Sequence, residues 1–142
     1  MIVPDTNLLV FAYDLTATRH QRARRWWEQS LSGDEPVGIP WIVVLAFTRL
    51  LTHPTIFARP MTTVEVRERV DMWFGQPHVR VLYPSPSTME IFFRLLESAG
   101  VGGNLSTDAM IAAHAIEHVG VVHTDDRDFG RFAEVRVHNP LA

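Results

Sequence analysis

The chain has 142 residues, a formal charge of −3, 46% hydrophobic residues and no cysteine, the make-up of a globular domain that can bury roughly 70% of its unfolded surface without a disulfide or structural zinc. All thirteen of its basic residues are arginine, which excludes the lysine of Walker A loops, receiver domains, haloacid-type phosphatases and Schiff bases, and with cysteine absent no thiol nucleophile or Cys-ligated metal is available either. No apolar run is long enough to span a bilayer, and the start, Met1 to Asp5, turns acidic too soon for a signal peptide, so a cytoplasmic protein with no membrane partner is expected.

Ile2 and Val3 form a short apolar run that ends at Asp5, and Asn7 to Tyr13 reads as a short helix. Thr18 to Leu31 carries His20, Ala23, Trp27 and Leu31 on one stripe and closes at Gly33, the pattern of an amphipathic helix. Val37 to Ile39 is a short strand. Trp41 to Thr52 is almost wholly apolar and too long for a strand, so a buried helix ending before Pro54 is predicted. Thr62 or Thr63 caps a helix over Val64 to Phe74, whose inner face is Val66, Val70, Trp73 and Phe74.

Val79 to Leu82 alternates as a strand, and the turn Pro84 to Ser87 leads into a helix over Thr88 to Ala99. A glycine-rich loop, Gly100 to Asn104, precedes a helix over Thr107 to His118 capped by Ser106. Gly120 then turns into the strand Val121 to Thr124, and a short helix around Phe129 to Phe132 is followed by the strand Val135 to Val137. No repeat or linker divides the chain, which reads as a single domain over residues 1–142. Short apolar strands separated by helices predict an α/β fold, a mostly parallel sheet of about five strands flanked by helices in three layers. In such sheets ligands bind beyond the carboxyl ends of the strands.

That rule directs attention to the acids. Asp5 lies just past the first strand, Asp125, Asp126 and Asp128 just past the fourth, and Asp108 in the first turn of the preceding helix. Each has an ordinary structural use, as a cap, a dipole partner or a turn residue. Together at one edge they would repel one another unless a cation neutralised them. Oxygen ligands alone suit a hard ion, Mg²⁺ or its substitute Mn²⁺, and such an ion suits phosphodiester hydrolysis.

Three segments carry a family resemblance: Asp5, Thr6 and Asn7 before an apolar helix; Thr107 to Ala113; and Thr124 to Phe129. In order, spacing and total length they resemble the PIN domain of VapC-type toxins, and Pro40, Trp41 and Phe47 to Thr52 match that family's middle helix. The resemblance implies a PIN-like fold and an Mg²⁺-dependent ribonuclease of a toxin–antitoxin pair. It implies Asp5, Asp108 and Asp126 as catalytic metal-site acids, with Asn7, Thr124 and Asp128 in support. It also implies an RNA substrate, a cognate antitoxin protein and a homodimer. Where most members carry Glu before the Phe of the middle helix, this chain has Ala46, so Asp128 or Asp125 completes the site, or it holds one ion instead of two, or the site is weakened and the domain binds RNA or a protein partner without cutting. A small-molecule phosphatase is disfavoured by the missing second acid after Asp5 and the missing lysine.

Arg49 and Arg127 are candidates for contact with RNA phosphate, and the cluster Arg19, Arg22, Arg24 and Arg25 reads as a mostly solvated helix face. His20 reads as a core imidazole, and His114 and His118 lack the intervening catalytic Glu of a zinc site, so no histidine is taken as a ligand. Trp26, Trp27, Trp41 and Trp73 read as core or dimer interface.

Overall fold

A computed structural model describes residues 1–100 and 102–142; Val101 of the glycine-rich loop lies outside them. In chain order the elements are β1 (Ile2–Pro4), α1 (Thr6–Tyr13), α2 (His20–Ser32), β2 (Val37–Pro40), α3 (Trp41–Leu51), α4 (Thr63–Phe74), β3 (Val79–Leu82), α5 (Pro86–Ala99), α6 (Ser106–Glu117), β4 (Val121–His123) and β5 (Arg136–His138). The five strands form one sheet in the order β3-β2-β1-β4-β5, every pair parallel. The fold is the expected α/β arrangement, with the sheet parallel throughout.

Every residue of β1 and β2 is buried, as apolar strands covered on both faces must be. The largest buried side chains join four helices. Trp73 of α4 packs edge-on against Phe47 of α3 at 4.8 Å and against Trp27 of α2 at 5.5 Å. Its indole Nε1 donates to the Tyr13 hydroxyl of α1 at 2.8 Å, so the aromatic cluster carries a satisfied polar link. Trp26 and Trp27 are core as well, whereas Trp41 is half exposed. His20 hydrogen-bonds to the Phe11 carbonyl at 2.9 Å but is only half-buried, at the margin of the core and not the core imidazole expected.

Several helix starts differ from the sequence reading. The second helix begins at His20, not Thr18, with no side-chain cap on it. The Thr88 hydroxyl is part of a capping box with Ser85, and Pro86 occupies the first turn, so α5 starts two residues early. Ser106 does not cap α6: it is already helical, because a 3-10 turn over Gly103–Leu105 runs straight into the helix. A second 3-10 turn over Arg127–Arg131 stands where the short helix around Phe129 was expected. The last strand is shifted by one residue, to Arg136–His138.

The strand order reverses at β1. Its neighbour β2 leads outward on one side through α3, α4 and β3, while β4 and β5 lie on the other. The crevice between the carboxyl ends of β1 and β4 is therefore the position at which parallel sheets bind ligands.

Candidate metal centre

Asp5 is the residue at which β1 becomes α1. Its backbone N–H continues the sheet by donating to the His123 carbonyl at 2.9 Å. Its side chain caps α1, accepting from Thr6 N–H at 2.7 Å through Oδ1. Oδ2 accepts from the Thr124 hydroxyl at 2.7 Å. That hydroxyl in turn accepts from Asp126 N–H at 2.9 Å, and Asp126 Oδ1 accepts from Asp128 N–H at 2.9 Å. Buried Thr124 thus ties the turn after β4 to the end of β1 through a chain of hydrogen bonds.

Carboxylate oxygens of Asp108, Asp126 and Asp128 lie within 4.8 Å of one another. Asp108 reaches this point from the first turn of α6, and Asp126 caps the 3-10 turn that carries Asp128. Asp5 stands beside them, buried. Its pKa is pushed up to about 6, chiefly by burial and further by Asp126 and Asp125, against the lowering effect of its Thr124 and Thr6 hydrogen bonds. Asp108 is pushed up to about 7, first by burial and then by the charges of Asp5, Asp126 and Asp128. Among the described residues no ion pair answers any of these four acids. An all-carboxylate set of this kind fits a hard divalent cation, which would remove the repulsion that raises both values.

Asp125 is different. Arg19, at the start of α2, forms an ion pair with it, so of the two acids expected to make good the missing Glu, Asp128 joins the cluster and Asp125 is neutralised by a cation of the protein. The pairing was not legible in the sequence, because 106 residues separate the partners. Ala46 is half-buried on α3. Asn7 is exposed in the first turn of α1, Arg49 is exposed in the last turn of α3, and Arg127 is exposed between Asp126 and Asp128. Neither arginine forms an ion pair among the described residues.

A family model described as the PIN domain matches residues 2–135. The chain is 34% identical over 141 residues to Ribonuclease VapC33 of Mycobacterium tuberculosis, covering 99% of each chain. It is 37% identical over 142 residues to Ribonuclease VapC37 of the same organism, covering 100% of this chain and 99% of the relative. Its fold is similar to FitAcB from Neisseria gonorrhoeae, with a TM-score of 0.73 at 22% identity over 99% of this chain and 98% of that one. It is also similar to the Sarcin-Ricin loop cleaving toxin VapC20 of Mycobacterium tuberculosis, with a TM-score of 0.70 at 21% identity over 96% and 99% of the two chains.

Proposed function

This chain belongs to the PIN-domain family and is related over its whole length to VapC ribonucleases, and we propose that it is the Mg²⁺-dependent endoribonuclease toxin of a type II toxin–antitoxin pair, one domain over residues 1–142. The observation that carries the reading is the convergence of Asp108, Asp126 and Asp128 beside buried Asp5 at the carboxyl edge of the sheet.

In this reading Asp5, Asp108 and Asp126 are the catalytic acids that hold the ion, and Asp128 supplies the carboxylate that position 46 does not. When bound, Mg²⁺ supplies positive charge at the scissile phosphate and lowers the pKa of a water that attacks phosphorus. Thr124 fixes the Asp5 carboxylate and the backbone of Asp126 in one hydrogen-bonded unit, so both oxygens are set before substrate arrives. Asn7, two residues after Asp5 in the first turn of α1, supports the same edge. Arg49 and Arg127, both exposed, contact phosphates of the RNA strand. Presence of the third carboxylate favours cleavage over the reading in which the domain binds without cutting.

The partner that restrains such an enzyme is a cognate antitoxin, in keeping with structural neighbours such as VapBC2 from Rickettsia felis and VapBC-1 from Haemophilus influenzae. An antitoxin arginine directed at Asp5, Asp108 and Asp126 would replace the ion's charge. The test of the enzymatic reading is direct. Purified protein should cut RNA with Mg²⁺ or Mn²⁺ and not in EDTA, and Asp108→Asn should abolish cutting while the circular dichroism spectrum is kept. Cleavage in EDTA, or full activity in the variant, would exclude the metal mechanism.

A further inference from the structure

The net charge of −3 and the acid cluster both repel a polyanion, so the basic surface that holds an RNA strand must be local. One cavity beside the acids has that character. It has a volume of about 470 Å³ and opens between α2 and the carboxyl ends of β4 and β5. Arg22, Arg25, Trp26, His123 and His138 line it, as does Ala142. Arg22 and Arg25 are three residues apart on α2, which puts both guanidiniums on one side of the helix. His123 and His138 are register partners on neighbouring parallel strands, so their side chains share a face, with rings 5.0 Å apart.

The donor inventory points outward. Trp26 Nε1 donates to His123 Nδ1 at 3.0 Å. An indole N–H can only donate, so Nδ1 is the acceptor and a neutral His123 carries its proton on Nε2. Among the described residues that Nε2 has no protein partner and is not sealed from solvent. Arg22 spends one N–H on the Leu141 carbonyl at 3.1 Å, which anchors the tail and leaves most of its fork free. No ion pair joins either arginine or Ala142 to another group among the described residues at this cavity.

The cavity adjoins the catalytic edge through the backbone. His123 is followed directly by Thr124, its carbonyl accepts from Asp5 N–H, and Arg22 lies one turn along α2 from Arg19, the partner of Asp125. We propose that this cavity is a backbone-phosphate subsite for the RNA strand, in which Arg22, Arg25, His138 and the Nε2–H of His123 hold a phosphate flanking the scissile one. The subsite rests on the ribonuclease reading and extends it: it orients the strand without touching the reacting atoms. It reads charge and not base identity, since Trp26 is buried and presents no stacking face.

The test uses the full chain and a fluorescein-labelled 20-nucleotide single-stranded RNA of mixed sequence. Anisotropy in EDTA measures binding, and cleavage in Mg²⁺ gives KM and kcat. The double variant Arg22→Gln/Arg25→Gln should bind about tenfold more weakly, with a salt slope reduced by about 1. KM should rise with kcat almost unchanged, the mark of binding energy spent equally on substrate and transition state. Because Arg22 also anchors the tail, His138→Gln and Arg25→Gln alone are measured as well, each expected to lower affinity, with Arg25→Lys restoring it in part. Arg67→Gln, on the exposed face of α4, should change nothing. The Trp26 indole N–H resonance should move on adding RNA to wild type. Unchanged affinity and slope in all three variants, while the wild type cleaves RNA, would overturn the subsite and leave the enzyme standing. A wild type that cleaves no RNA would instead sink the ribonuclease reading. A cavity that binds inorganic phosphate through Arg25 while RNA affinity stays unchanged would also overturn the subsite.

Discussion

At the scale of single residues, Asp108 combines two demands that conflict without a cation. Its place in the first turn of α6 favours the charged form through the helix dipole, yet burial and three neighbouring acids push its pKa up to about 7. The folded chain therefore holds a proton that the unfolded chain, with an ordinary aspartate near 4, has already lost between those pH values. Stability from this group is present at acid pH and is lost as pH rises through about 7. Asp5, pushed up to about 6, acts in the same direction. His114 and His123, both pushed down to about 4 chiefly by burial, act oppositely, costing stability as pH falls below 6.5. Comparing variants isolates the acid: in EDTA, Asp108→Asn should melt higher than wild type at pH 8, and the difference should shrink toward pH 5. Mg²⁺ or Mn²⁺ should close the gap at pH 8 by stabilising only the wild type. A melting difference that is flat with pH would show that Asp108 is not repelled by its neighbours. The acids were legible in the sequence because each sits where an element begins or ends. The pairs Arg19 with Asp125 and Trp26 with His123 were not, since partners 106 and 97 residues apart leave no local signal.

At the scale of elements, the existence and order of helices and strands followed from apolar periodicity, while their starts depended on caps that a short pattern shares among neighbours. Ser85 and Thr62 are caps with reciprocal hydrogen bonds, but Ser106, equally suitable by composition, is overtaken by the 3-10 turn before it. The connection from α6 to β4 separates two uses of glycine in the same way. Gly120 was read as the turning residue, yet the left-handed position belongs to Val119, with φ of 53°. Gly120 is required for space: a Cβ there would come 3.0 Å from the Met1 carbonyl and 3.2 Å from Val3 Cγ2. A β-branched residue in the left-handed region costs about 1–2 kcal/mol, and the Val119 side chain is 74% exposed, so removing it sacrifices little packing. Val119→Gly should therefore raise the melting temperature by about 3 °C, whereas Gly120→Ala should lower it. The reverse order in a thermal melt would show that the strain is relieved elsewhere.

At the scale of the molecule, the remaining feature is an apolar face that a monomer leaves uncovered. Trp41 and Leu45 are one turn apart on α3, and both are about half exposed. Tyr83 follows β3 with its ring 6.3 Å from that of Trp41, and Met89 and Phe93, one turn apart on α5, are exposed as well. Several exposed apolar side chains of this size mark an interaction surface, not ordinary surface scatter. The surface begins at Trp41 and Tyr83, which directly follow the carboxyl ends of β2 and β3, the same sheet edge that carries the acids. A two-fold pair formed through it would set the two catalytic edges side by side in one groove. The full chain should therefore sediment as a dimer at micromolar concentration, and Phe93→Glu should convert it to a folded monomer, because a charge buried at a two-fold axis meets its own copy. Val64→Glu, an equally drastic change at an exposed position on α4, should leave the dimer intact. A wild-type monomer, or a Phe93→Glu dimer, would place the pairing surface elsewhere and leave this apolar face for another partner.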